Sequence, residues 1–198
     1  MSKFTNNIKK YVTIGFAGSQ SRIGTTTQAL QILQYLQLMG KKVCYIEMND
    51  SMYVEKMKRI YNIVKYDKTK ESYTIGDIEM YKSDSLLQIS RSDYDYIIRD
   101  YGNVRENFNK LSFLESDIRI IVAGAKPNEM FETTDCIRDK SFFDVKYIFS
   151  FIPKEDRESI KEMMEDKKDN TFFASLNVVE PFVYNSSANN TFKEIIDM

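Results

Sequence analysis

The residues of this chain best suited to chemistry lie in the run Gly18-Ser19-Gln20-Ser21-Arg22-Ile23-Gly24-Thr25-Thr26-Thr27. Small residues let a backbone approach a phosphate closely, amides at a helix start attract an anion, and a Ser or Thr hydroxyl can meet magnesium. The strict phosphate-cradling pattern G-x-x-x-x-G-K-[ST] is nevertheless not met. Gly18 and Gly24 stand one residue too far apart, and Thr25 takes the place of the lysine. Histidine is absent altogether, which excludes His-based triads, imidazole general bases and most catalytic zinc sites. Chemistry here must run on carboxylates, hydroxyls, backbone amides, Lys, Arg or a bound metal.

The elements that must position this run follow from periodicity. Residues 11–17 form a short β-rich stretch ending at Gly18. Ala29, Ile32, Leu33, Leu36 and Met39 then recur at helical spacing over 26–39, Gly40 supplies a stop, and 42–47 reads as a second strand. Strand, loop, helix and strand make a βαβ unit with a right-handed crossover. The alternation continues with a helix over 51–63, an extended stretch over 72–81, a strand over 94–100 and a helix over 104–115. A strand over 117–123 and a helix from about 127 follow, then a strand over 145–151 and a helix over 155–167. The pattern closes with a strand over 178–184 and a helix over 188–198. It predicts an α/β fold in three layers, a mostly parallel sheet with helices on both faces. In such sheets the first strand–helix turn is where ligands sit.

A length of 198 residues suits one domain spanning 1–198, with the polar residues 1–10 as a flexible tail. The formal net charge of -1 gives no overall pull toward nucleic acid or an acidic membrane. Cys44 and Cys136 read as reduced thiols. No apolar run is long enough to span a membrane and no signal peptide opens the chain, so the expected location is cytoplasmic.

The loop resembles that of the partition and septum-placement ATPases, the ParA/MinD family, which carry K-G-G-x-G-K-T-T directly after strand one. Aligned on Ile23-Gly24-Thr25-Thr26-Thr27, Gln20 falls on the family's signature lysine, Ser21 and Arg22 on two glycines, and Thr25 on the phosphate-binding lysine. Thr26 falls on the magnesium-ligating threonine. Gln28-Ala29-Leu30 and the run from Met39 to Glu47 also look like that family. Glu47-Met48-Asn49 occupies the place of an acidic pair after strand two. Asp95 to Gly102 is close to the D-Y-I-I-x-D-x-x-G pattern, with the glycine one residue early, so Asp100 matches the magnesium-linked aspartate. The resemblance is strongest over 11–50 and 94–102.

The resemblance implies ATP and magnesium as cofactors, nucleotide contacts from Gln20 to Thr27, metal contacts from Thr26 and Asp100, and switch-like roles for Glu47, Asn49 and Gly102. It also implies a nucleotide-dependent homodimer and a protein partner. Without either lysine, binding should weaken and hydrolysis should suffer most. The function expected is a degenerate scaffold or regulator in partition, conjugation or secretion-system positioning, with weak or absent ATPase activity. The alternative is an active ATPase in which Arg22 replaces the lysine. Plainer readings stand beside these: Arg22 at a solvent-facing loop tip, Thr25 to Thr27 as a helix N-cap cluster, and Asp100 ending a strand or capping the next helix. A positive stretch from Lys56 to Lys70 could touch DNA or an acidic partner, although Glu55, Asp67 and Glu71 interleave with it and favour a solvated face. The C-terminal helix, with Phe192, Ile195 and Ile196 on one side, suits ordinary packing better than membrane targeting.

Overall fold

A computed structural model describes residues 11–85, 89, 93–105, 107–175 and 180–197. The strands are β1 (Val12–Gly18), β2 (Val43–Glu47), β3 (Lys65–Asp67), β4 (Ser72–Ile75), β5 (Ile78–Lys82), β6 (Tyr96–Asn103), β7 (Ile118–Ala123), β8 (Lys146–Phe149) and β9 (Thr171–Phe173). The helices are α1 (Thr25–Leu38), α2 (Tyr53–Ile60), α3 (Lys110–Leu114), α4 (Met130–Arg138), α5 (Arg157–Met163) and α6 (Asn189–Asp197). All nine strands join one sheet in the order β3-β4-β5-β2-β6-β1-β7-β8-β9. Pairing is parallel from β5 through to β9 and antiparallel only in β3–β4 and β4–β5.

Alternation along the central strands sends side chains to two different cores. Ile120 and Val122 on β7 face one cluster with Leu30 and Leu33 of α1, Val54 of α2 and Phe192 and Ile195 of α6. Ile121 and Ala123 face the other, with Phe113 of α3, Cys136 of α4 and Ile160 of α5. The sheet is therefore covered on both faces, as the strand–helix rhythm requires. α6 spends its apolar side inward: Phe192 packs on Tyr35 with ring centroids 5.9 Å apart, and Ile195 is fully buried. Cys44 and Cys136 are both free and buried. Among the described residues no helix is long and apolar enough to cross a membrane.

Four expectations need correction. The stretch 72–81 is two antiparallel strands, turned at Gly76 with φ 56°, and β3 extends the sheet beyond them. The helix expected over 104–115 occupies only Lys110–Leu114, because β6 runs on to Asn103 and the following residues cross toward the loop after β1. The helix over 51–63 shortens to Tyr53–Ile60, since Tyr61 turns extended. Residues 180–184 form no strand, and 178 and 179 lie outside the described residues; the edge strand is instead Thr171–Phe173. The tail at 1–10 and the terminal Met198 also lie outside the described residues.

The segment 181–185 has no sheet ladder because side chains of α1 take its place. Gln31 Nε2 donates to Val183 O (2.9 Å) and Pro181 O (3.3 Å), while Gln31 Oε1 accepts from Asn185 N (2.9 Å). Gln34 Nε2 adds a bond to Pro181 O at 2.8 Å. Part-buried backbone groups outside a ladder need partners, and here two glutamines provide them.

Candidate functional site

β1 lies between β6 and β7, so the chain reverses its direction of travel across the sheet at this strand. The loop after β1 opens at that reversal, at the carboxyl ends of β1, β2 and β6, where open α/β sheets bind ligands. A cleft of about 530 Å³ lies there, and Gln20, Ser21, Arg22, Gly24, Thr25, Thr26 and Thr27 form one wall of it. The opposite wall comes from Asn49, Asp50 and Ser51 after β2 and from Tyr101, Gly102, Asn103 and Asn107 after Asp100.

The loop is shaped by two left-handed residues, Arg22 at φ 62° and Gly24 at φ 96°. Between them Ile23 is buried and packs near Gly124, so any ligand contact from it would be through its backbone. Gly24 is the N-cap of α1, and no side chain caps the helix. The threonine cluster thus does not perform the capping role open to it, and the first amides of α1 remain without a side-chain partner. Thr25 is nearly buried and packs against Gly18, the last residue of β1. A Cβ built on Gly18 would sit 2.3 Å from Thr25 Oγ1, so only glycine fits at 18.

Thr26 and Asp100 meet: Thr26 Oγ1 donates to Asp100 Oδ2 at 2.6 Å, across 74 residues of sequence. Asp100 lies within β6 rather than at its end and caps no helix. It is 0% exposed, and two further donors reach it, Tyr45 OH to Oδ2 at 2.8 Å and Gly102 N to Oδ1 at 2.9 Å. Burial pushes the Asp100 carboxyl above the usual range, against the pull of the Thr26, Gly102 and Tyr45 hydrogen bonds. Burial likewise raises Tyr45, with the Asp100 charge adding to it.

The other resemblance-derived positions divide. Asn49 joins the site: its Nδ2 donates to Asp100 O at 2.9 Å, and Gly102, at φ 73°, packs against its side chain. Glu47 serves α2 instead. Its buried carboxylate accepts from Ser51 Oγ (2.6 Å), Tyr53 N (2.5 Å) and Val54 N (3.2 Å), holding the start of a helix that has no side-chain cap of its own.

Charge in the cleft is sparse. Of its lining residues Arg22 is the one cation and Asp50 the one carboxylate, and Arg22 has no ion pair among the described residues. Asp50 Oδ2 accepts from Asn107 Nδ2 at 2.9 Å within the opposite wall, and Asn103 Nδ2 donates to Ser21 Oγ at 3.1 Å from one wall to the other. No group of three or more His, Cys, Asp or Glu converges as a metal cage among the described residues. A hydroxyl and a carboxylate are hard oxygen donors of the kind magnesium accepts alongside phosphate and water. Thr26 and Asp100 are therefore the residues that would hold it, and magnesium would neutralise phosphate charge there.

Sequence reading missed Tyr45, Asn103 and Asn107. Tyr45 sits two residues before Glu47 on the same face of β2, which is the one signal that could have drawn attention to it. Tyr45→Phe removes a buried donor to Asp100 and is expected to lower stability by about 1 to 3 kcal/mol in urea unfolding. An unchanged midpoint would show that this hydrogen bond contributes nothing.

The nine-stranded, mostly parallel sheet with helices on both faces matches the α/β fold of phosphate-loop NTPases. Within that architecture the fold is that of the ParA/MinD ATPases. The MinD cell-division protein in its complex with MinC, from Aquifex aeolicus, matches with TM-score 0.65 and 17% identity, covering 85% of this chain and 82% of that one. A Borrelia burgdorferi plasmid partition protein bound to AMPPNP matches with TM-score 0.61 and 17% identity, covering 96% and 98%. The ParA of pNOB8 bound to nonspecific DNA matches with TM-score 0.64 and 11% identity, covering 94% and 98%. At such identities the likeness is one of fold. No protein-family model matches the sequence, and no curated protein does.

Proposed function

We propose that this chain is a ParA/MinD-type scaffold or regulator that receives a magnesium–nucleotide weakly, turns it over slowly if at all, and acts through a protein partner. Partition, conjugation and secretion-system positioning are the processes this reading suits. The observation that carries it is a contrast at one cleft. Thr26 on its wall and Asp100 buried behind it form a donor pair suited to magnesium, while Thr25 is short, uncharged and nearly buried, and Arg22 is the one cation among the lining residues. Phosphoryl transfer depends on positioning and charge stabilisation, and removing one such donor typically costs about 10²–10³ in rate. The nucleotide of the Borrelia structure and the MinC partner of the Aquifex structure belong to those proteins; they make nucleotide and protein the ligands to try first.

A second reading, an ATPase that uses Arg22 and dimerises on ATP, is favoured by one feature: Arg22 stands in a left-handed conformation on the cleft wall without an ion pair. Calorimetric titration with AMPPNP and magnesium, on the native chain and on Arg22→Ala, separates the two. The scaffold reading expects weak binding that Arg22→Ala reduces less than tenfold, with no measurable turnover. Micromolar binding that Arg22→Ala weakens at least tenfold, with magnesium-dependent turnover abolished by Asp100→Ala, would establish the second. No heat up to millimolar nucleotide would remove nucleotide from both.

A further inference from the structure

A cationic stretch lies away from the cleft, where α2 ends and the chain turns into the edge strand β3. Residues 55–71 carry six exposed cations against Glu55, Asp67 and Glu71, in a chain of formal net charge -1, and Asp67 is the one carboxylate between Lys56 and Lys70. That carboxylate is turned onto its own hairpin, accepting from Thr69 N at 2.8 Å and Lys70 N at 3.2 Å. Lys70 is drawn to Glu79 (3.1 Å) and Lys56 to the Ser51 carbonyl (2.6 Å). Lys58, Arg59, Lys65 and Lys68 remain without an ion pair among the described residues.

Two isoleucines stand among these cations. Ile60 is 69% exposed and Ile63 is 65% exposed. Between and after them Tyr61 packs edge-on against Phe182 (centroids 6.0 Å apart) and Val64 is buried, so the turn is anchored from within while both isoleucines face out. Lysines on a short edge strand would by themselves be explained as a guard against pairing with another chain. That explanation does not require two projecting aliphatic side chains beside them.

We infer that this edge docks on an anionic lipid bilayer, with Ile60 and Ile63 entering the headgroup–acyl boundary while Lys58, Arg59, Lys65 and Lys68 meet lipid phosphates. Aliphatic tips ringed by cations match a surface that offers an apolar layer beneath a negative one. Nucleic acid offers phosphates but no apolar layer for isoleucine, and a single strand would add stacking on free aromatic faces. The exposed ring here, Tyr66, is already covered by Lys58 Nζ, 5.0 Å from its centroid, and by Tyr73 at 4.8 Å. The inference does not depend on the nucleotide reading, since none of these residues lines the cleft.

The test is co-sedimentation of the full chain, without nucleotide, with vesicles of pure phosphatidylcholine and with equimolar phosphatidylglycerol and phosphatidylcholine. Binding is expected only to the anionic vesicles, weakening as salt rises toward about 0.15 M. Each cation removed should lower partitioning about fivefold, so Lys65→Gln with Lys68→Gln should lower it about 25-fold. Ile60→Ser with Ile63→Ser should lower it at least about tenfold at unchanged charge. All four side chains are exposed, so unchanged circular dichroism and melting are expected and serve as the folding control. No vesicle binding, or binding that neither double variant weakens, would overturn the inference. Retention of a short DNA duplex, lost in the lysine variant, without vesicle binding would assign the patch to nucleic acid and overturn it equally.

Discussion

Thr25→Lys is expected to tighten binding of AMPPNP with magnesium about tenfold to a hundredfold, the equivalent of one hydrogen bond to a charged group worth ~1.5–3 kcal/mol. The expectation rests on the space around the side chain and not on the resemblance alone. Thr25 lines the cleft at the start of α1 while its Oγ1 packs tightly against Gly18, so a longer stem has to extend on the cleft side. Gly24 supplies the left-handed turn that starts α1, and Thr26 stands on the same wall with Asp100 buried behind it. Calorimetry on Thr25→Lys and on Thr25→Lys with Asp100→Asn separates the contributions: the gain should appear in the first and lose its magnesium dependence in the second. An affinity unmoved by Thr25→Lys would mean that the cleft does not take a triphosphate in this orientation, and the nucleotide part of the proposed function would fall.

Gln31→Leu is expected to cost about 1 to 3 kcal/mol in urea unfolding, a sizeable share of the ~5–15 kcal/mol that holds a typical domain together. Leucine matches the apolar surroundings of α1 but strands the carbonyl of Val183 and the amide of Asn185, while Pro181 O keeps its bond from Gln34. Each of these two part-buried hydrogen bonds is worth about 0.5–1.5 kcal/mol. The loss should show first as proteolytic cleavage within 181–188, with the sheet still folded. A variant as stable as the native chain and equally resistant to protease would show that this segment is held by Phe182 and α6 and not by the glutamine.

The same glutamine explains where sequence reading stops. The βαβ start, the parallel centre of the sheet and its helices on two faces follow from local periodicity, because burial on both sides of a strand leaves an apolar run that any reader can find. Residues 180–184 look like a strand for the same reason, yet their hydrogen bonds go to side chains about 150 positions earlier, and no local pattern encodes that. The hairpin β4–β5 was merged into one extended stretch because Gly76-Asp77 is a two-residue turn inside an otherwise β-rich run. β9, at three residues, is too short to show a period. In the site, the resemblance to the ParA/MinD loop and strand patterns points to Thr26 and Asp100. It does not point to Tyr45, since its meeting with Asp100 depends on β2 lying next to β6, a fact of sheet order. Glu47 was read as part of a switch, and the structure puts its carboxylate on the amides of α2.

One hydrogen bond, Asn103 Nδ2 to Ser21 Oγ, ties the two walls of the cleft together. A ligand that spreads the walls parts this exposed bond, worth about 0.5–1.5 kcal/mol. The spread form is then a minority of the unliganded population, on the order of seven to thirty per cent, and the apparent dissociation constant of such a ligand exceeds the intrinsic one by the inverse of that fraction. Any partner that holds Asn103 away from Ser21 would sharpen that ligand's affinity without touching it, and the ligand would strengthen the partner's grip by the same factor.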